Sequence, residues 1–221
     1  MEVEYQNHGE ISLAHYGVLY LDELPEFKRE TLEVLRGPLE DKKLTISRVW
    51  GSLTYPCNFM LVASMNPCPC GYYGSDIKEC TCSHNMINNY ISKISGPLLD
   101  RIDIQIKVKP IEFRNFNEDT KVETSKEIRD RVNSARNIQK FRYKNLEILC
   151  NNELTPKLIE KYCKLDSKSK TLIEKAFKTL KLTARGYSRV LKVARTIADL
   201  DGKENIQIHH IAEALQYRIL N

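Results

Sequence analysis

The stretch GVLYLDELPEF, residues 17–27, sets four apolar residues directly before an Asp-Glu pair and a proline. A short apolar run such as Val18–Leu21, bounded by a glycine and a proline, predicts a strand that is covered on both faces of a sheet. Ligands of open parallel α/β sheets bind beside the carboxyl ends of the strands, so Asp22 and Glu23 fall where a metal-bound phosphate or an attacking water would lie. The alternative is a strand end that carries two solvated acids.

The length and composition are those of a globular chain. Its 221 residues can bury a substantial core in one large domain or two small ones. Apolar residues make up 42% of the chain and charged residues 29%, and no apolar run is long enough to cross a bilayer, so we expect no membrane partner. The first residues, MEVEYQNHGE, are acidic and polar, unlike a secretory signal. These features predict a cytoplasmic protein.

The net charge of +5 is concentrated towards the C-terminus. Residues 151–221 carry 14 Lys and Arg against 8 Asp and Glu, whereas residues 1–150 carry 20 against 21. A local basic excess suits an anionic partner such as nucleic acid or nucleotide phosphate. The alternative is a basic face that only contacts solvent.

The segment after the Asp-Glu pair predicts a broken helix and a hairpin. Apolar residues at near-helical spacing follow Pro25, and Gly37-Pro38 should break or kink that helix. LTISRVWGSLTYP alternates β-branched and polar residues on either side of Gly51-Ser52, which predicts a hairpin that turns at those two residues.

A second apolar run, Phe59–Ala63, predicts another buried strand, and Asn66 lies just beyond its carboxyl end. A helix is expected from about Asn85 to Ile94, and the alternation in RIDIQIKVK, residues 101–109, predicts a further strand. The composition then shifts to charged helical sequence, with a long helix from about Asp119 to Lys144.

Four amphipathic segments complete the chain. TPKLIEKYCKL, SKSKTLIEKAFKTLKL, TARGYSRVLKVARTIADLDG and IQIHHIAEALQYRIL each place apolar residues three and four positions apart. Thr155-Pro156 is a helix start signal and Asp201-Gly202 a stop signal. We therefore predict an α/β domain over residues 1–145 and an all-α domain of about four helices over residues 146–221.

In combination these segments resemble a known family. GVLYLDEL resembles a Walker B strand, the Asn66 position a sensor 1, SGPLLDRID an arginine-finger segment and TARGYSR a sensor 2, in the order found in AAA+ ATPases. More narrowly, GEISLAHYGVLYLDELPEF, PLEDKKLTISR, MLVASMNPCPCGYYG and ISGPLLDRIDI resemble the magnesium-chelatase-like (ComM/YifB-type) subgroup over almost the whole chain. The resemblance implies a partial AAA+ parallel-sheet core of the P-loop NTPase type, followed by a helical lid.

The resemblance also implies roles for the residues at the strand ends in ATP hydrolysis. Asp22 would hold Mg²⁺, largely through water, because this ion keeps several waters and takes one or two carboxylates. Glu23 would polarise the attacking water, and Asn66 would hydrogen-bond that water or the γ-phosphate. For Asn66, which precedes a proline, the alternative is a simple turn residue.

Three arginines would complete the site. Arg101 would reach the nucleotide of the next subunit as an arginine finger, which implies a ring and, for this family, a hexamer. Arg185 would contact the γ-phosphate from the lid, with Arg189 one helical turn later as the second choice. The alternatives are an Arg101 paired with a neighbouring aspartate at the surface and an Arg185 that is one more charge on a basic helix.

One element of the family pattern is missing, because the chain contains no GxxxxGK[ST] motif. That motif would supply the phosphate-binding amides, the lysine and the Mg²⁺-binding hydroxyl. The expectation is therefore a C-terminal part of a longer protein, one that binds ATP poorly by itself and does not hydrolyse it appreciably.

A cysteine cluster raises the question of a second metal. Cys68, Cys70, Cys80 and Cys82 offer four thiols within fifteen positions, a donor set that suits one tetrahedral structural Zn²⁺. Their C-x-C spacing is tighter than the usual C-x-x-C, so the alternative is a set of reduced thiols in a loop.

The predicted hairpin suggests a DNA contact. In this branch of AAA+ proteins a hairpin before sensor 1 faces the central pore, so Arg48 could bind phosphate and Trp50 could stack on a base; Trp50 packing on its own hairpin is the alternative. The leading function is DNA remodelling of the branch-migration type during natural transformation. A chelatase-type motor that drives metal insertion with partner subunits, or a non-catalytic nucleic-acid or protein-binding module, are the alternatives.

Overall fold

The computed structural model describes residues 9–48, 51–108, 123–180 and 182–218. The chain divides into two compact units, Met1–Ile102 and Asp103–Asn221. Within the described residues the first unit combines short helices with two pairs of strands, and the second is helical. These observations confirm the predicted fold class of a parallel α/β core and an all-α domain. No described helix is both long enough and apolar enough to cross a membrane.

The strands of the first unit form two separate pairs. The strands are β1 (Val18–Leu21), β2 (Lys43–Arg48), β3 (Gly51–Pro56) and β4 (Met60–Ala63). β1 and β4 form a parallel pair, and β2 and β3 form an antiparallel hairpin. Because β1 and β4 are parallel and in register, their carboxyl ends meet at one edge.

Short helices surround these strands. They are α1 (Glu10–Leu13), α2 (Arg29–Val34), α3 (Arg36–Asp41), α4 (His84–Ile91) and α5 (Gly96–Leu99), with a 3₁₀ turn at Leu24–Glu26. The break predicted near Gly37-Pro38 is confirmed, because Leu35 separates α2 from α3. Pro38 lacks the N–H that would bond to Val34 four residues earlier, which explains the interruption.

The first unit has a small core on one side of the β1–β4 pair. Leu24, Leu32, Leu35, Ile94 and Leu98 are buried, and Leu19, Leu21 and Ala63 pack against them. The opposite side is exposed, with Tyr20 at 57% and Met60 at 64%. The expectation of a strand covered on both faces is therefore wrong for the described residues. The apolar run identifies the strand, but it does not report which face has a neighbour.

The hairpin forms where it was expected, but the two residues predicted to form its turn lie in a strand. Arg48 pairs with Gly51 and Ser47 with Ser52, so Gly51 and Ser52 belong to β3 and do not form the turn. Hydroxyl pairs across the strands, Thr45 with Thr54 and Ser47 with Ser52, hold this register on one face.

The second unit is built from five helices within its described residues. They are α6 (Ser125–Arg142), α7 (Pro156–Tyr162), α8 (Ser167–Thr179), α9 (Ala184–Leu200) and α10 (Ile208–Gln216), with a 3₁₀ turn at Asn151–Glu153. The predicted start and stop signals are confirmed, because Pro156 opens α7 and Gly202 adopts a left-handed φ of 67° just after α9. A capping box between Thr124 and Glu127 starts α6.

The second unit has the larger core. Most of its buried apolar residues come from α7 to α10, among them Ile159, Ile173, Val190 and Ile211, and Tyr143 and Leu154 join them from the segment before α7. A buried polar network lies beside this core. Both oxygens of Asp199 accept hydrogen bonds from Arg142, while Asn151 and Arg195 also contact the carboxylate.

The strand predicted in RIDIQIKVK is absent from the described residues 101–108. Ile104 and Ile106 are exposed while Gln105 between them is buried, so the alternation of faces is present. The backbone N–H of Gln105 bonds to the Tyr217 carbonyl at 3.0 Å, an isolated contact outside any ladder. An alternating pattern predicts an extended segment, whereas a strand also requires a partner strand.

Candidate nucleotide site

The exits of β1 and β4 are joined by Ser64. Its N–H donates to the Leu21 carbonyl at 3.0 Å, and its carbonyl accepts the Leu24 N–H at 2.9 Å. Its hydroxyl donates to Oδ1 of Asp22. The first residues beyond the two parallel strands therefore form one bonded cluster, as the strand directions require.

Asp22 is an exposed carboxylate with one oxygen held by the protein. Its Oδ1 accepts the Ser64 hydroxyl, the Glu23 N–H at 3.1 Å and the Tyr20 hydroxyl at 3.3 Å. These bonds lower the pKa of Asp22, with the bond from Ser64 as the largest cause. The group is therefore ionised at neutral pH, and its second oxygen can serve a cation or a cation-bound water.

Glu23 occupies a left-handed backbone conformation, with φ 50° and ψ 51°. A residue with a Cβ adopts this region only when the surroundings hold it there. Leu24 supplies that restraint, since its side chain is buried and its N–H bonds to Ser64. The unusual backbone marks the residue that was predicted to act on the attacking water.

Asn66 lies two residues beyond Ser64 and is exposed. A buried tyrosine of α4, Tyr90, lies against it. Burial raises the pKa of Tyr90, the Glu26 carboxylate adds to the rise, and a backbone hydrogen bond from Asn66 opposes it. The structure thus brings Asn66 to the strand exits and adds a neighbour from a helix.

Ser64 and Tyr90 were not identified as site residues from the sequence. Ser64 could have been found by the rule that selected Asp22, because it is the first polar residue after an apolar strand. Tyr90 carries no such signal. Its spacing on α4 is that of an ordinary core residue, and its proximity to Asn66 follows only from the fold.

Arg101 is held inside the first unit. Its guanidinium pairs with Glu40 and donates to the carbonyls of Arg36 at 3.1 Å and Pro97 at 2.7 Å. Only 7% of its side chain is exposed. This pairing with Glu40 of α3 was not among the alternatives considered from the sequence.

The two lid arginines differ in their surroundings. Arg185 lies in the first turn of α9 and is exposed, whereas Arg189 pairs with Asp103. Thr183 caps the helix by accepting the Gly186 N–H at 3.0 Å. The positive end of a helix dipole favours anions, so Arg185 adds a second positive charge at a position that suits phosphate.

The four cysteines of the predicted metal site converge. The sulfur of Cys68 lies 3.4 Å from that of Cys70 and 3.7 Å from that of Cys80, and the Cys70 and Cys80 sulfurs are 3.6 Å apart. All four sulfurs, with Cys82, lie within 4.8 Å of one another. Tetrahedral zinc with Zn–S bonds of about 2.3 Å requires sulfurs about 3.8 Å apart, so the donor set fits.

Backbone amides also point at these sulfurs. The Tyr73 N–H donates to the Cys68 sulfur at 3.3 Å. Hydrogen bonds, the largest from the Tyr72 backbone, lower the pKa of Cys70 to about 5. Amide donors favour the thiolate of Cys70, which is the form that binds metals. The pKa of Cys82 is instead raised, mainly by burial, and, despite a hydrogen bond from the Cys82 backbone, the pKa of Cys80 is raised to about 12 by burial and the neighbouring sulfurs. The tight C-x-C spacing therefore does not prevent the four sulfurs from meeting.

One of the two proposed DNA-contact residues belongs to the described hairpin. Arg48 is the last residue of β2, and Trp50 lies outside the described residues. The hydroxyl-bearing face of the hairpin is exposed, with Thr45, Ser47, Ser52 and Thr54 along it.

A second group of donors, Asp201, His209 and His210, lies within 4.8 Å in the second unit. The Nδ1 of His210 accepts the Gln207 N–H at 3.0 Å, so the neutral ring carries its proton on Nε2, which faces Asp201 at 3.3 Å. A metal-binding imidazole would instead donate its second N–H. This group therefore anchors the turn between α9 and α10 and is not a metal centre.

An acidic pair after one parallel strand, a polar cluster after the next, and a helical unit with an arginine at a helix start are features of an AAA+ protein. Residues 3–116 match the family described as "Magnesium chelatase, subunit ChlI", and residues 122–218 match "Magnesium chelatase, subunit ChlI C-terminal". The chain belongs to this magnesium chelatase family, which confirms the resemblance seen in its motifs.

Individual relatives agree with the family match. "Competence protein ComM" of Haemophilus influenzae is 44% identical over 218 residues, which cover 96% of this chain and 41% of that protein. "Uncharacterized protein YifB" of Escherichia coli is 41% identical over 215 residues, with the same coverage. A more distant match, "Archaeal Lon protease" of Methanocaldococcus jannaschii, is 34% identical over 101 residues, 46% of this chain and 14% of that protein. The chain thus spans about 41% of the length of the ComM and YifB proteins that it matches.

Proposed function

We propose that this chain forms the Walker B, sensor and arginine-finger part of a hexameric AAA+ ATPase that remodels DNA. The observation that carries the proposal is the cluster at the exits of β1 and β4. There Tyr20, Ser64 and the Glu23 N–H hold one oxygen of an ionised Asp22, and Glu23 lies beside it in a restrained conformation. The match to a magnesium chelatase family supports the same reading.

The residues present fit Mg²⁺. Asp22 is exposed and ionised, and three donors already share its Oδ1, so the other oxygen would hold a magnesium-bound water. Bound Mg²⁺ would neutralise charge on the β- and γ-phosphate oxygens of ATP. Glu23 would accept the proton of the attacking water, and Asn66 would orient that water or the γ-phosphate.

Because the chain contains no GxxxxGK[ST] motif, we propose that a Walker A loop comes from sequence outside it. The chain alone would then bind ATP poorly and not hydrolyse it appreciably. The first experiment is ATP hydrolysis by the protein together with the sequence that supplies this loop.

Replacing Glu23 tests the assigned base. Glu23→Gln should lower kcat by about 10²–10⁴-fold while ATP still binds, because an amide cannot accept the proton. Glu30→Gln is the matched control, since Glu30 is an exposed acid on α2 nearby. Normal turnover in Glu23→Gln would remove Glu23 from catalysis.

Arg101 would act on a neighbour's nucleotide after exchanging Glu40 for phosphate. Arg101→Ala should abolish hydrolysis and leave nucleotide binding. Because Arg101 also bonds to two carbonyls of its own unit, loss of activity alone would not separate catalysis from folding.

Mixed rings resolve that ambiguity. A ring that contains both Arg101→Ala and Glu23→Gln subunits has some interfaces with an intact Glu23 on one side and an intact Arg101 on the other. Activity that returns on mixing two inactive variants would support a finger supplied between subunits. No recovery, despite rings of normal size, would assign Arg101 to the fold of its own subunit.

The lid would supply Arg185 to the γ-phosphate, with Arg189 as the second choice. Arg185 is favoured because it is exposed in the first turn of α9, whereas Arg189, one turn later, is half-buried. Arg185→Ala should therefore raise the KM for ATP more than Arg189→Ala.

The DNA proposal rests on the printed name of a competence relative and on the hairpin. Arg48 would bind phosphate and Trp50 would stack on a base. DNA-stimulated hydrolysis should fall in Arg48→Ala, while Lys43→Ala, at the other end of β2, is the control. DNA binding should also weaken with salt.

A metal-insertion motor is the second candidate, because the matched family is named for magnesium chelatase. ATP hydrolysis that responds to a metal-free tetrapyrrole and a partner subunit, and not to branched DNA, would favour it.

We also propose one structural Zn²⁺ at Cys68, Cys70, Cys80 and Cys82, because their sulfur separations match a tetrahedral thiolate site. Metal analysis should find about one zinc per chain. Cys70→Ser should lose it and Cys150→Ser should retain it, since Cys150 lies outside the cluster. A folded, metal-free wild-type chain would identify reduced thiols.

A further inference from the structure

We propose that the zinc-bound cysteine loop, residues 68–82, holds the candidate nucleotide site in shape by fixing Asn66 and the exit of β4, with Tyr90 as the positioning residue on α4. The proposal rests on the zinc ion and the site described above, and it adds a physical connection between them. Zinc would be a structural support of ATP hydrolysis in this protein.

One end of the loop is joined to the candidate site. Asn66 and Pro67 separate Cys68 from the strand exit, and Cys68 is completely buried. Ser64, four residues before Cys68, carries the bonds to Asp22 and Leu24. Any movement of Cys68 is therefore transmitted over a short stretch of backbone to those bonds.

The other end of the loop is joined to α4. Cys82 directly precedes Ser83, whose hydroxyl accepts the Met86 N–H and caps the helix. The buried face of α4 carries Ile87 and Tyr90. The four sulfurs thus link the strand exit to the start of a helix.

The loop itself has little to hold it in place. Residues 68–82 form no helix or strand, and their backbone hydrogen bonds within the loop include two tight turns, at Gly71 and Ser75. Ordering such a segment costs conformational entropy, which a metal that joins its two ends offsets. The sulfur of the buried Cys68 and the three sulfurs beside it are the atoms through which a metal would join the two ends of the loop.

Tyr90 connects the helix to the catalytic candidates. It is buried, and it lines one pocket together with Pro69 of the loop and with Glu26. Zinc at the start of α4 would therefore hold the tyrosine against the segment that leads from the exit of β4 into the loop.

The test is amide hydrogen exchange on the whole chain, with and without zinc. Removing zinc by chelation should speed exchange of the Leu24 and Ser64 amides at least about tenfold, because their partners lie at the strand exits. Leu39 of α3, whose N–H bonds to Leu35 at 3.1 Å, is the control in the same unit, and Tyr143 is the control in the second.

Three variants separate the steps. Cys70→Ser should reproduce the effect of chelation, and Cys150→Ser should not. Tyr90→Ala should retain zinc and speed exchange at Ser64, because it removes the buried ring that lies beside Pro69 of the loop.

The outcomes are distinct. If zinc binds but its removal leaves exchange at Leu24 and Ser64 unchanged, the connection is wrong, whereas the zinc site stands. If Leu39 accelerates equally, zinc stabilises the whole unit and the local role is wrong. A chain that binds no zinc overturns the proposal at its first step, and loss of the ATPase proposal alone would leave the exchange result intact.

Discussion

The two units of the chain differ in what their buried residues do. In the second unit, helices α7 to α10 enclose a large apolar core, and Asp199 neutralises two arginines beside it. In the first unit a few leucines and Ile94 form the core, one side of the β1–β4 pair is exposed, and the candidate catalytic residues lie at strand ends.

This difference suggests a division of labour. Burial supplies most of the free energy of folding, so the second unit has the means to be stable. The first unit places an ionised carboxylate and a strained glutamate where they reach solvent, and it brings four thiols together where they can bind a metal. Polar groups at such positions stabilise a fold less than a packed core does, and they are the groups that chemistry requires.

The largest expected effect tests the buried network of the second unit. Asp199→Ala leaves the guanidinium groups of Arg142 and Arg195 buried beside an uncharged methyl group. The loss should cost about 3–5 kcal/mol in the free energy of unfolding, because an unpaired buried charge is poorly solvated. Denaturant unfolding followed by helical circular dichroism measures it.

Asp130→Ala is the control, because Asp130 is exposed on α6. It should change the free energy of unfolding by no more than about 0.5 kcal/mol. An equally small change in Asp199→Ala would mean that the network is not a source of stability, and the contrast between the units would weaken.

A smaller effect is expected from the core of the first unit. Leu32 is almost completely buried among Leu24, Leu35 and Leu98. Leu32→Ala should cost about 2–4 kcal/mol through lost burial and a residual cavity, at the lower end because this core is small and can collapse. Trp50, the single tryptophan of the chain, provides a fluorescence signal from this part of the sequence.

The fluorescence and circular dichroism transitions should respond differently. If the cores are energetically separate, Leu32→Ala shifts the fluorescence transition and leaves the helical transition in place. A common shift of both would show that the units unfold together. The exposed Leu13→Ala is the control for the loss of a leucine side chain.

The sequence predicted the second unit better than the first, for a physical reason. Helical periodicity and capping are local, so the starts and stops at Pro156 and Gly202 could be identified from a few residues. The first unit depends on pairing between distant strands. Apolar and polar residues alternate in RIDIQIKVK as in a strand, but the segment has no strand partner in the described residues. In the observed register of the hairpin, Gly51 and Ser52 belong to β3 and not to the turn.

The candidate site shows the same limit. Motif order predicted Asp22, Glu23 and Asn66 as site residues, and the clustering of four thiols predicted the cysteine site; the structure brings Asp22 to Ser64 and the sulfurs to one another. The roles of Glu23, Asn66, Arg101 and the lid arginines stay predictions. Ser64 and Tyr90 could not be paired with their partners from sequence, because those contacts join residues 42 and 24 positions apart.

The smallest effect concerns the start of α9, the helix that carries both lid arginines. Thr183 accepts the Gly186 N–H, so Thr183→Ala removes the cap and should cost about 1 kcal/mol. Thr171→Ala is the matched control, since Thr171 bonds to a carbonyl within α8 and caps nothing. Unfolding of the second unit by denaturant measures both. A cost well above that of a cap would mean that Thr183 also supports packing, whereas a cost equal to that of Thr171→Ala would mean that the packed face of α9 alone fixes where the helix begins. With the high cost, the position of Arg185 depends on the single side chain of Thr183. With the low cost, it depends on the packing of α9 against the core.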